Sequence, residues 1–187
     1  MPEDKDELRR ELRQRRRDFV VSSDVCQLRV HAIVMARLAI EATGKASSIA
    51  CYLANPFEVD AMPIMQLAFA RGIETALPHI VARDESMRFL RWRPEDQLVT
   101  GPFGIPQPKQ DAPEIEPDAI IAPLLGFDRK GNRLGQGGGF YDRAFMRHSA
   151  AARIGLAWSV QEADMLPVDS WDEPLHAIIT ERERIDF

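Results

Sequence analysis

Short apolar segments alternate with helical ones along this chain, and that alternation constrains its fold more than any other feature. "SSIACYLA" (47–54), "IETALP" (73–78), "MRFLRW" (87–92), "DAIIAP" (118–123), "RIGLAW" (153–158) and "AIIT" (177–180) all have strand length. "DAIIAP" is apolar after its first residue, and short apolar stretches of this kind suit strands covered on both faces. Between them lie helical patterns. Residues 4–20 form a charged helix whose apolar stripe, Leu8, Leu12 and Phe19, is narrow. "SSD" (22–24) caps a second helix carrying Val25, Leu28, Ala32, Met35 and Leu38 at helical spacing as far as Gly44. A third is expected over 58–71, where Pro63 is tolerable only near the first turn, and a fourth over 139–149. This order predicts an α/β fold with a mainly parallel sheet. At 187 residues the chain suits a single domain spanning 1–187.

Composition narrows the function. A net charge of −5 disfavours a general nucleic-acid binder, so any anion bound here is held by local groups. The charged start "MPEDKDELRRELRQRRRDF" and the lack of an apolar run of about 18 residues lead us to expect a soluble, cytoplasmic protein with no membrane partner. Cys26 and Cys51 show no CxxC or zinc spacing and read as buried thiols. The Pro-rich piece "PFGIPQPKQDAP" (102–113) is expected to wrap across a sheet edge near the substrate.

The stretch "GFDRKGNRLGQGGGFYDR" (126–143) crowds glycines between a strand and a helix. Unencumbered N–H groups at a helix N-terminus attract phosphate. Neither the P-loop form nor the full GxGxxG spacing is present, so spacing alone leaves phosphate binding and a tight structural turn both open. Lys5 and Arg9 lie four apart on one helix face and could reach one anion, or could form a solvated basic face balanced by Glu7 and Glu11. Interleaved acids weaken a nucleic-acid reading of "RQRRRDF".

Three blocks, "KDELRRELRQRRRDF", "GPFGIPQP" and "PDAIIAPLLGFDRKGNRLGQGGGFYDRAF", together resemble the signature segments of the 5-formyltetrahydrofolate cyclo-ligase family, also called 5,10-methenyltetrahydrofolate synthetases. The third block is the specific one. The resemblance implies a three-layer α/β/α sandwich with a mixed, mainly parallel sheet. It implies an enzyme that uses ATP and Mg²⁺ to close 5-formyltetrahydrofolate into 5,10-methenyltetrahydrofolate through a phosphorylated formyl group, acting on small molecules as a monomer. By the same resemblance Lys5, Arg9, Gly135, Gln136, Gly137, Gly138, Gly139, Phe140 and Tyr141 hold ATP. Glu58, Met87, Phe103 and Tyr141 hold the folate, with Phe89 beside Met87, and Asp142 and Asp172 are metal candidates.

This chain departs from the family pattern in places. Gln136 and Gly138 stand where some relatives carry Arg and Lys, Phe140 where Tyr is common, and Trp171 where His is frequent. His176 replaces an acid often found there. The missing loop charges keep a non-catalytic nucleotide- or folate-binding relative open, and the fold class keeps a sugar-phosphate isomerase open.

Overall fold

The computed structural model describes residues 5–82 and 85–187. Helix α1 (Lys5–Ser22) turns into α2 (Val25–Ala42) at Asp24, whose carboxylate accepts the Gln27 N–H. Strand β1 (Ser48–Ala50) follows, then α3 (Met62–Ala70), β2 (Glu74–His79), β3 (Arg88–Arg91) and a small hairpin of β4 (Val99–Thr100) with β5 (Pro106–Gln107). Next come β6 (Ala119–Pro123), the hairpin β7 (Gly126–Phe127) with β8 (Arg133–Leu134), α4 (Phe140–Arg147), β9 (Ala152–Leu156), β10 (Ala177–Ile179) and β11 (Arg184–Asp186). Helix α3 begins four residues later than the expected 58, because Pro63 belongs in its first turn and residues 55–58 form a turn of their own.

Seven strands form one sheet in the order β11-β10-β9-β6-β1-β2-β3. The inner strands pair in parallel, while β3 and β11 close the edges antiparallel. Side chains alternate between the faces. Ile49, Ala119 and Ile121 point to the face covered by Met35 and Ile40 of α2 and Ile64 and Met65 of α3. Ala50, Ile120 and Ala122 point to the other, covered by Phe145 of α4 with Phe89 and Phe127. The result is the expected three-layer α/β/α arrangement with a mixed, mainly parallel sheet.

Chain order reverses across β1. From there β2 and β3 build one side of the sheet, after which the chain crosses back to β6, β9 and β10. Ligands of open α/β sheets bind outside the carboxyl ends of the strands at such a reversal. Within the Pro-rich piece 102–113, Gln107 accepts the Ile80 N–H at 3.1 Å and Pro113 O accepts the Arg91 N–H at 2.7 Å, so it runs along this end and the β3 edge as expected. One reading is corrected: Cys51 is buried, but Cys26 is exposed, because it lies on the outer face of α2, away from Met35 and Ala39.

Candidate active site

The turn after β1 is built around a strained residue. Phe57 adopts φ 78°, which for a residue with a Cβ costs about 1 kcal/mol or more. Three hydrogen bonds hold it: Trp158 Nε1–H donates to Phe57 O at 3.1 Å, Glu58 N–H to Asn55 O at 3.0 Å, and Asn55 N–H to Glu58 Oε2 at 2.9 Å. The turn thereby fixes the Glu58 carboxylate beside Arg16, with Nη1 3.3 Å from Oε1. The two side chains are only 5% and 6% exposed. Arg16 was not among the expected site residues, yet Leu8, Leu12 and Arg16 recur every four residues, and all three are buried. A cation on an apolar stripe is a signal that it is buried and paired.

The glycine-rich stretch divides into two parts. Gly126 and Gly131 belong to the β7–β8 hairpin, whose tip folds around the fully buried Asp128; its carboxylate accepts N–H groups of Lys130, Asn132 and Leu166. Gly135 to Gly139 form a separate loop that enters α4 through Gly137 and Gly139, at φ 95° and 65°, conformations that favour glycine. Among the described residues, no backbone N–H from Gly135 to Asp142 donates a hydrogen bond within the protein. These amides and the N-terminus of α4 present a concentrated run of donors. Arg9 braces the loop, Nε donating to Gly135 O at 3.1 Å, and Arg13 donates to Gln136 Oε1 at 3.0 Å.

Two cation–carboxylate sets flank that loop. Arg133 pairs with Asp142 at 2.6 Å and packs its guanidinium 5.8 and 5.5 Å from the ring centres of Tyr141 and Phe145. On the other side, Lys5 Nζ reaches Asp169 at 2.6 Å and Asp172 at 2.7 Å. Burial opposes the Lys5 charge, but the two carboxylates outweigh it and its pKa is raised. Asp172 Oδ2 also accepts the Asp169 N–H at 2.8 Å, so the turn carrying Trp171 is closed on itself.

Glu58, the amide loop, Arg133 with Asp142, and Lys5 with Asp169 and Asp172 line one cavity of about 530 Å³, within the usual range for small-molecule sites. Its floor is the chain at and just past the carboxyl ends of β1, β2 and β6: Tyr52 and Leu53, Pro78 and Ile80, Pro123 and Leu124. Lys5, Arg9, Gly135 through Gly139, Phe140, Tyr141, Asp142, Asp172, Glu58 and Met87 all meet there. Phe89 does not, being fully buried in the core. The side chain of Phe103 lies outside the described residues. Tyr141 has its phenol pKa raised, first by burial and then by the Glu58 charge, so it remains a hydroxyl donor at neutral pH.

Among the described residues no cluster of three His, Cys, Asp or Glu side chains is arranged to hold a metal. Magnesium does not require one, since it commonly takes one or two carboxylates and completes its shell with phosphate and water. Asp142 and Asp172, each one-fifth exposed at the cavity wall, are suited to that role.

The sequence model of the 5-formyltetrahydrofolate cyclo-ligase family matches residues 1–181. The chain belongs to the 5-formyltetrahydrofolate cyclo-ligase family. The Escherichia coli K12 5-formyltetrahydrofolate cyclo-ligase is 34% identical over 142 residues, covering 72% of this chain and 78% of that one. The Haemophilus influenzae cyclo-ligase is 33% identical over 142 residues, covering 72% and 76%. The NMR structure of Aquifex aeolicus 5,10-methenyltetrahydrofolate synthetase superimposes with a TM-score of 0.79 at 29% identity, over 97% of this chain and 92% of that one. The Mycoplasma pneumoniae synthetase has the same fold, with a TM-score of 0.71 at 24% identity, over 94% and 98%. The expectation of an enzyme of the cyclo-ligase family on a three-layer α/β fold therefore stands.

Within this cyclo-ligase framework, Arg16, Arg133, Asp169 and Tyr52 are cavity or support residues that motif reading did not single out. Arg133 sits inside "GNRLG", where a buried cation next to a glycine loop was the available signal. Asp169 gave none, because its partner Lys5 lies 164 residues away.

Proposed function

We propose that the protein catalyses the ATP- and Mg²⁺-dependent cyclisation of 5-formyltetrahydrofolate to 5,10-methenyltetrahydrofolate, with release of ADP and phosphate. What carries the reading is the row of amides from Gly135 to Asp142, which among the described residues donate to nothing in the protein and border the same cavity as the buried Glu58. Donors that suit phosphate and a carboxylate that suits a pterin share one space.

The formyl oxygen attacks the γ-phosphorus, and the bond from that phosphorus to the ADP oxygen breaks. The formyl carbon, now carrying a phosphate leaving group, is attacked by nitrogen ten. That nitrogen loses its proton, the ring closes, and phosphate departs with the former formyl oxygen. Phosphoryl transfer needs positioning and charge neutralisation more than covalent help. Lys5, Arg9 and the amides of Gly135–Gly139 hold the phosphates, with Gln136 and the α4 start at Phe140 and Tyr141 closing the loop around them. Arg133 adds a cation beside the loop, in which Gln136 and Gly138 carry no charge. Asp142 and Asp172 would hold magnesium, which would supply positive charge against the phosphates.

Phosphate oxygens would take the place of the carboxylates that Lys5 and Arg133 hold, Asp169 and Asp172 on Lys5 and Asp142 on Arg133. On the folate side Glu58 accepts N–H groups of the pterin, Met87 forms an apolar wall, and the Tyr141 hydroxyl donates nearby. Phe103 belongs to the same half of the site in this reading. Only small molecules need engage this cavity, and we propose a cytoplasmic monomer without nucleic-acid or membrane partners.

The test is spectroscopic. Methenyl product should give new near-ultraviolet absorbance when 5-formyltetrahydrofolate, ATP and Mg²⁺ are all present, and none when ATP is withheld. Absence of product with folded protein and all three supplied refutes the reading.

A further inference from the structure

Resting on that reading, the geometry points to Trp171 as the stacking platform for the nucleotide base. Of the three tryptophans, Trp92 and Trp158 are packed in the interior, whereas Trp171 is 63% exposed and lines the cavity. Its position is not a loose one. It sits in the turn Asp169–Asp172, closed by Asp172 N–H to Asp169 O at 3.1 Å and Asp169 N–H to Asp172 Oδ2 at 2.8 Å. Lys5 pins both carboxylates of that turn to α1. A large ring carried into the cavity wall by a closed turn offers a flat apolar face, and a tryptophan has only two side-chain torsions to fix when it stacks.

Helix α1 fixes which end of the cavity that face serves. Along it, Lys5 touches the Trp171 turn, Arg9 and Arg13 touch the glycine loop, and Arg16 touches Glu58. From Lys5 to Arg16 the helix advances about 16 Å at about 1.5 Å per residue. The cavity is therefore ordered as Trp171, then the amide loop, then Glu58. With the phosphates on the loop and the pterin at Glu58, the remaining end receives the base. Stacking on an indole is tolerant of base identity, so the platform should serve a purine nucleotide without reading its edge.

The test titrates wild type, Trp171→Ala and Trp171→Phe with magnesium ATP and with magnesium tripolyphosphate, which has phosphates but no base. Loss of base stacking in Trp171→Ala should weaken ATP about five- to a hundredfold, leave tripolyphosphate unchanged, and be partly restored in Trp171→Phe. ATP should also shield the exposed tryptophan of the wild type from acrylamide quenching, and tripolyphosphate should not. Unchanged ATP affinity in Trp171→Ala, with wild type binding ATP, overturns the platform and spares the nucleotide site. Equal weakening of both probes also overturns it, because the residue would then act through the Lys5 turn. A wild type that binds neither probe overturns the nucleotide reading and the platform together.

Discussion

Arg16→Met places a side chain of similar length on the Leu8–Leu12 stripe and removes the cation that pairs with Glu58. The carboxylate keeps the Asn55 N–H on Oε2 but loses its charge partner on Oε1, in a site where it is 6% exposed. Breaking one side of a buried ion pair costs about 3–5 kcal/mol. With a urea dependence of about 2 kcal/mol per molar, that is a fall in midpoint of about 1.5–2.5 M. Removing both charges in Arg16→Met/Glu58→Gln should cost less than the sum of the single changes, because no buried charge is then stranded. Urea unfolding of all four proteins, followed by circular dichroism, measures both quantities. A midpoint shift below about 0.5 M for Arg16→Met, or strictly additive singles, would refute the reasoning that the pair positions Glu58.

Other perturbations separate the halves of the site. Glu58→Gln should weaken 5-formyltetrahydrofolate binding about ten- to a hundredfold and leave ATP almost unmoved, while Lys5→Ala should do the opposite; calorimetric titration of each ligand into each variant checks both. Gly137→Val puts a β-branched residue at φ 95° with its Cβ 3.5 Å from the Arg9 guanidinium carbon, so ATP affinity should drop at least tenfold by the same titration. His176 has its pKa lowered, first by burial and then by Arg153, so below about pH 6.5 the unfolded chain takes up a proton that the fold resists. Stability should decline as pH falls through that window toward the lower folded value, and His176→Gln should flatten the decline in urea midpoints between pH 7.5 and 5.5.

What was legible in the sequence was what local chemistry dictates. The Asp24 cap, the apolar strand of β6 and the glycines before α4 all declare themselves within a few residues. The grouping of Lys5, Arg9 and residues 135–142 was legible only through a long motif, because 126 residues separate Arg9 from Gly135. Pairing was harder to read. Asp142 looks like a free helix-start acid until Arg133 is brought to it by the β7–β8 hairpin, and Asp169 meets Lys5 only after the sheet is complete. The single run of glycines also hid two structures, a hairpin folded around Asp128 and an open amide loop. Strand lengths were overread at β1, where "SSIACYLA" keeps only Ser48–Ala50 in the ladder, because the chain leaves the sheet early to form the cavity floor at Tyr52 and Leu53.

The chemistry is tested most directly by following the formyl oxygen. 5-Formyltetrahydrofolate labelled with ¹⁸O in the formyl group is turned over with unlabelled ATP and magnesium, and the released phosphate is analysed by mass spectrometry. Attack of that oxygen on the γ-phosphorus, in a cavity where phosphate donors and Glu58 are neighbours, requires the label to appear in inorganic phosphate, one atom per methenyl group formed. Label recovered in water, with unlabelled phosphate and the same yield of methenyl product, would contradict the phosphorylated formyl step.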